Sequence, residues 1–264
     1  MVIQTASPLQ YQLQFVNDCL DLNACIGKTM HWNFTGKIAC ISCGRRITKS
    51  YQQGHCYPCT QRLASCDICI VKPELCHFAA GTCREPAWGL AHCMQDHVVY
   101  LSYTSTLKVG ISRKVNIPYR WYDQGAIRGL VCFVVSSRLQ SGLLEQAIAR
   151  DIADKTNWRK MLQPVTTDLD LAMARDELLV QLNQHELLQH PAWQGQQLHV
   201  SAAEKIVSIN YPVLSYPPKV TSINVAKTPS FSATLLGMKA QYCIFDIGVI
   251  NIRKYSGYEL EVSV

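Results

Sequence analysis

The chain lacks any run of eighteen uncharged apolar residues, so no membrane-crossing helix is expected anywhere in it. Its first residues, MVIQTASPLQYQLQF, lack the basic start, apolar stretch and small-residue cleavage site of a secretory signal. A soluble, cytoplasmic protein with no membrane partner is therefore expected. Low-complexity segments and repeats of clear period are also missing, which argues against a repeat array. Acidic side chains are the minority, 19 against 25 lysines and arginines, and the formal charge of +6 permits a polyanionic partner without requiring one. What remains is globular in composition: 48% of the residues are apolar, and 264 residues suffice for one to three domains.

Cysteine is what the chain has in excess. There are 13, an odd number, and nine of them fall between Cys40 and Cys93, while Cys19, Cys25, Cys132 and Cys243 are scattered. A reducing cytosol disfavours disulfides, so this clustering reads as metal binding. Cys40-x2-Cys43 and Cys56-x2-Cys59, with 12 residues between the pairs, have the spacing of two thiolate turns closing a tetrahedron around zinc. Gly44 supplies the permissive backbone needed after the first pair. Four thiolates leave no open position, so this zinc is expected to be structural. Burial as apolar core cysteines and redox chemistry at one CxxC are the competing readings. A second zinc is expected from the following set, with Cys66, Cys69, Cys76 and Cys83 as the chosen ligands and His77, His92, Cys93 and His97 as alternatives. His31, His55, His185, His190 and His199 read as surface or packing residues. Arg45, Arg46, Lys49 and Arg62 give the zinc module a basic face suited to nucleic acid or to solvent.

Alternation of apolar and polar residues predicts strands over 11–16 and 28–35, a small β unit ahead of the cysteines. After His97 the pattern reads strand, strand, helix, strand, helix: VVYLSY, LKVGIS, IPYRWYDQ, LVCFVV and SGLLEQAIARDIADKTNW. Pro118 suits a first helical turn and Gly125 a C-terminal stop. A connecting helix is expected over about 168–188, with Leu171, Leu178, Leu179 and Leu182 on one face. From Val200 onward the pattern is β, with turns at Ile247-Gly248 and Ser256-Gly257. The fold class is α+β. The expected units are 1–35 (β), 36–97 (zinc-binding), 98–165 (core), 166–192 (connector helix) and 193–264 (C-terminal β).

Within the core, Val98-Val99-Tyr100 and Lys108-Val109-Gly110 lie on adjacent strands, Arg120 follows on a helix, and Glu145 sits on a later one. This constellation resembles the GIY-YIG endonucleases over about fifty residues, and the element order is also that family's. Lys108 stands where the family has its second tyrosine. The cysteine-rich segment joined to this core also resembles an uncharacterised bacterial family of unknown function. The GIY-YIG resemblance implies phosphodiester hydrolysis in DNA or RNA: Tyr100 as base, Lys108 beside it, Arg120 on a phosphate oxygen, and Glu145 holding Mg²⁺ or Mn²⁺. Glu145 shares a helical stripe with Ile148 and Ile152, which turns its carboxylate away from open water. Arg113, Lys114 and Arg128 are the expected nucleic-acid contacts, with Tyr103, Tyr119, Trp121 and Tyr122 among them. A zinc-dependent nucleic-acid-binding or interaction protein without catalysis is the alternative, and a thiol oxidoreductase the third class.

Overall fold

A computed structural model of the chain describes residues 1–152, 157–182, 186–193, 198–200 and 205–264. Residues 183–185 of the expected connector helix, His185 among them, lie outside the described residues, as does the side chain of His199, and the helix's expected far end is a 3-10 turn, Glu186–Gln189. The fold is α+β, as expected, and its elements fall into three sheets.

Strands β1 (Val2–Gln4), β2 (Gln10–Gln14) and β3 (Cys19–Asp21) make an antiparallel three-stranded unit. Its alternating inward residues Ile3, Tyr11 and Leu13 are buried. The long β4 (Thr29–Ala39) leads into the cysteines, where β5 (Arg46–Ile47) folds back onto its end. Helices α1 (Tyr57–Arg62) and α2 (Pro86–His92) flank a stretch of short 3-10 turns.

The core follows in the predicted order: β6 (His97–Tyr103), β7 (Leu107–Arg113), α3 (Tyr119–Gln124), β8 (Arg128–Val135) and α4 (Arg138–Ile148). Gly125 ends α3 at φ +72°, a conformation that costs glycine little. The helix predicted beyond Glu145 is shorter than expected. It stops at Ile148, and Asn157 caps a separate turn, α5 (Trp158–Met161). β6 lies between β7 and β8, all antiparallel, so β7 is an edge strand. The far edge of β8 takes two short strands, β9 (His199–Val200) and β10 (Val207–Ser208).

Alternation along β6 divides the protein into layers. Val99 and Leu101 face α4 and α6 (Leu171–Leu182), in a core that includes Leu144, Ile148, Leu171, Leu178, Leu182 and Trp193. The expected leucine face of that helix is therefore present, and it packs on the sheet instead of merely connecting. Val98 and Tyr100 point the other way, into a larger core shared with Trp121, Trp32 and Phe245.

That larger core is floored by a six-stranded sheet. The C-terminal strands β11 (Ser230–Lys239), β12 (Tyr242–Phe245), β13 (Gly248–Asn251) and β14 (Tyr258–Ser263) join β4 in the order β13-β12-β11-β4-β14, with β5 beside β4. The predicted turns at Gly248 and Gly257 are used. The expected N-terminal β unit and C-terminal β domain are not separate bodies at this point, because β4 is hydrogen-bonded between β11 and β14.

Candidate metal centre and arginine-lined cleft

The two cysteine pairs are held by different local devices. Gly44, at φ +70°, lets the chain reverse after Cys43. Its N–H donates to the Cys40 carbonyl (2.8 Å), and the Cys40 N–H donates to the Arg45 carbonyl (2.9 Å). The second pair is helical: Cys56 caps α1, Pro58 stands in its first turn, and Cys59 follows within it. Ordinary helical backbone serves there, so no second glycine is needed after Cys59. The four sulfurs all lie within 4.8 Å of one another, and Cys43 and Cys56 are 3.7 Å apart. Zn–S bonds of about 2.3 Å in a tetrahedron place sulfurs about 3.8 Å apart. The residues thus fit a structural zinc.

Two of the four thiols are pushed in opposite directions. Burial pushes Cys40 up, but backbone N–H groups of Cys56, Cys43 and Ser42 together outweigh it and bring Cys40 down to about 5. The neighbouring Cys56 thiol, followed by burial, pushes Cys59 up to about 12. A cation among them would favour the thiolates at all four positions.

The second expected quartet is not assembled. Among the described residues, no three of Cys66, Cys69, Cys76 and Cys83 bring their sulfurs within 4.8 Å of one another. This segment runs through separate 3-10 turns, Ala64–Cys66, Ile68–Ile70 and Pro73–Leu75, instead of a second pair of tight loops. Cys69 gathers instead with Asp67 and His77. Asp67 also takes an ion pair from Arg84 at 2.6 Å. The Cys76 thiol lies beside that of Cys93, Cys83 sits against Gly89, and Cys66 is buried near Arg84. His92 bonds the Trp88 carbonyl and stacks on its ring. His97 is fully buried, donates to the Gln95 carbonyl through Nδ1 (2.7 Å), and leaves Nε2 without a partner. Burial holds it below the usual histidine range.

The core residues converge on Arg120. Tyr100 lies directly opposite Gly110 in the sheet register and is fully buried, its ring lying across the space a side chain at 110 would fill. In the amide orientation that satisfies both neighbours, Gln124 donates to the Tyr100 hydroxyl (2.8 Å) and accepts from Arg120 Nη2 (3.0 Å) and Nε (3.3 Å). Burial raises the Tyr100 phenol above its ordinary range, and Arg120 opposes that rise. The arrangement makes Tyr100 a support for Arg120 and not an ionised base exposed to water.

Arg120 opens onto a cleft of about 650 Å³ that Glu145 also lines, together with Arg113, Arg138 and Arg253. Lys108 is buried on the same sheet face as Tyr100 and lines an adjoining cavity with Arg120, Gln124 and Arg253. The expected contacts divide. Arg113 is in the cleft, whereas Lys114 pairs with Asp96 (3.6 Å). Arg128 is opposite Tyr103, at the other end of β6 from His97, and donates to the Leu169 carbonyl (2.8 Å). Trp121 is a core residue packed over Gly129 and against Tyr100, so it offers no surface for stacking.

Three contributors escaped the sequence reading. Gln124 had a signal, since it stands one helical turn after Arg120. Arg138, at the start of α4, donates to the Cys69 and Ile70 carbonyls (3.2 and 2.6 Å) and so fastens the cysteine-rich segment to the cleft wall. Arg253 arrives from the turn after β13, where no local pattern marks it.

A family model described as "Protein of unknown function (DUF2797)" matches residues 27–260. No curated protein and no solved structure matches the chain.

Proposed function

The chain belongs to the DUF2797 family, and because membership carries no activity with it, we propose a function from the site itself: a zinc-structured protein that binds the phosphates of a nucleic acid. One observation carries this reading. Arg113, Arg120, Arg138 and Arg253, from four separate elements, line one cleft in which Glu145 is the single carboxylate among the described residues. Guanidinium groups match phosphate oxygens in a planar, bidentate geometry, and a concave wall of them raises the local concentration of a polyanion. The zinc module is the frame of this cleft and not its chemistry, since a four-cysteine site has no position left for substrate.

Phosphodiester hydrolysis is the second reading, favoured by Glu145 and Arg120 sharing the cleft and by the β-β-α-β-α order that resembles the GIY-YIG endonucleases. A divalent cation held by Glu145, Mg²⁺ or Mn²⁺, would supply positive charge at a leaving oxygen. Among the described residues, no further carboxylates or histidines gather with Glu145 into a three-ligand set, so most of that ion's shell would be water and phosphate oxygen. Arg120 would hold a phosphate oxygen, its guanidinium oriented by Gln124 and Tyr100. Burial of Tyr100 weighs against its service as the base. A second zinc would be held by Cys69 with Asp67 and His77.

The test is incubation of zinc-loaded protein with labelled DNA and RNA, with Mg²⁺ or Mn²⁺ and without. Binding without cleavage supports the first reading. Metal-dependent cleavage lost in Glu145→Gln, with zinc content intact, supports the second. Absence of binding at low salt removes both.

A further inference from the structure

The zinc module carries a second groove that the cleft does not use. It measures about 760 Å³ and is lined by Arg45, Arg46 and Lys49 with Tyr51 and Tyr57, over Phe34 of β4. Three properties of this groove bear on its occupant.

The first is uncompensated charge. Among the described residues no aspartate or glutamate lines the groove, and Arg45, Arg46 and Lys49 make no ion pair. Glu259 is close enough to feel Arg46, but it is bonded to Lys37 at 2.8 Å. Three cations without an ion-pair partner at one concavity repel one another, and an anion would relieve that repulsion.

The second is exposed aromatic surface in the same place. Tyr57 is 58% exposed and Tyr51 37%, with ring centroids 5.8 Å apart, and Lys49 Nζ stands 5.1 Å from the Tyr51 ring centre. Faces of this kind, interleaved with cations, suit planar bases joined by phosphates. An acidic peptide would use the cations and leave the rings bare, and a duplex keeps its bases stacked on one another.

The third is rigidity. Tyr51 and His55 exchange backbone hydrogen bonds of 2.9 Å each, and Tyr57 directly follows the cysteine that caps α1. The backbone that carries both rings is therefore held in place, which lowers the entropy lost on binding.

We propose that this groove binds single-stranded nucleic acid, with phosphates at Arg45, Arg46 and Lys49 and bases stacked on Tyr57 and Tyr51. It rests on the nucleic-acid reading of the cleft and adds a second point of contact, on the zinc module itself. A strand held here would be presented to the protein by a non-catalytic surface, independent of Glu145.

The experiment is fluorescence anisotropy with the full, zinc-loaded chain and three probes: a short labelled oligothymidylate, a duplex of equal length and a poly-glutamate peptide. Tyr57→Ala is expected to weaken oligothymidylate binding about tenfold, the loss of one stacked base, while duplex binding and zinc content stay unchanged. Arg45→Gln combined with Lys49→Gln is expected to lower the salt slope for the single strand by about 1.4, two phosphate contacts at about 0.7 each. If the wild type binds oligothymidylate and both variants match it, while Arg120→Ala and Arg253→Ala bind more weakly, the groove proposal falls and the cleft reading stands. Tighter binding of poly-glutamate than of oligothymidylate also overturns the groove. If the wild type binds no nucleic acid, both fall together.

Discussion

Arg253 Nε donates to Gln53 Oε1 at 2.7 Å, joining the turn before the last strand to the loop between the two CxxC pairs. The same guanidinium approaches Asp123 of α3 at 3.9 Å. The four-cysteine cluster, the core and the C-terminal sheet thus meet at one side chain that also lines the cleft.

Metal loss should therefore be felt beyond the cysteines. Protein purified without added metal is expected to contain at least one zinc per chain by elemental analysis. Cys59→Ser should lose it, expose residues 40–62 to protease, and weaken nucleic-acid binding at the cleft as Gln53 releases Arg253. Full-length folded protein with less than one zinc would sink this account of the module.

Gly110 is required by Tyr100. A β-carbon at 110 would stand 2.6 Å from the Tyr100 hydroxyl, inside any real contact, and Tyr100 has no room to swing because it is wholly buried. Gly110→Ala should cost roughly 1–3 kcal/mol in chemical denaturation. Tyr100→Leu removes the ring, so the second substitution should cost less in its presence, and the double-mutant cycle should show coupling. Additive losses would mean that the two residues do not meet.

Lys239 gives a pH signature. It is 1% exposed, its amine lies 5.5 and 5.6 Å from the rings of Tyr211 and Tyr216, and burial lowers it from 10.5 to about 8. The folded state thus releases this proton at lower pH than the unfolded state does. Between pH 8 and 10.5 the unfolded chain binds more protons at this site, so this residue's contribution to stability rises with pH through that window. Below pH 8 the full burial cost is present, on the order of 3 kcal/mol before the aromatic contacts offset part of it. Lys239→Met should raise stability at pH 7, and its advantage should shrink as pH climbs from 8 to 10.5. A constant difference across that window would contradict the assignment.

The sequence showed local features well and distant ones poorly. The cysteine spacing, Gly44, the Gly125 stop and the strand-strand-helix-strand-helix order depend on neighbours a few residues apart, and each is present in the structure. The single six-stranded sheet was not visible, because its register joins residues such as Asn33 and Glu261, 228 positions apart. Alternation marks a strand's buried face but does not name the strand beside it. The second quartet is not gathered, and the reason is related: without a paired CxxC repeat, spacing carries little about which thiols the 3-10 turns bring together. Arg120 and Glu145, which the GIY-YIG resemblance singled out, line one cleft, whereas Arg253 reaches it only through tertiary packing.

The central claim, that guanidinium groups converging at the cleft bind nucleic-acid phosphate, is tested most directly by titrating mixed-sequence DNA and RNA at two salt concentrations with four proteins. These are the wild type, Arg120→Ala, Arg253→Ala and Arg128→Ala, the last removing a cation bonded to the Leu169 carbonyl away from the cleft. Affinity should fall steeply with salt for the wild type, and the two cleft variants should bind more weakly with a slope smaller by about one phosphate contact each. Arg128→Ala should match the wild type. Binding that ignores salt, or that weakens equally in all three variants, would contradict the cleft as the nucleic-acid site.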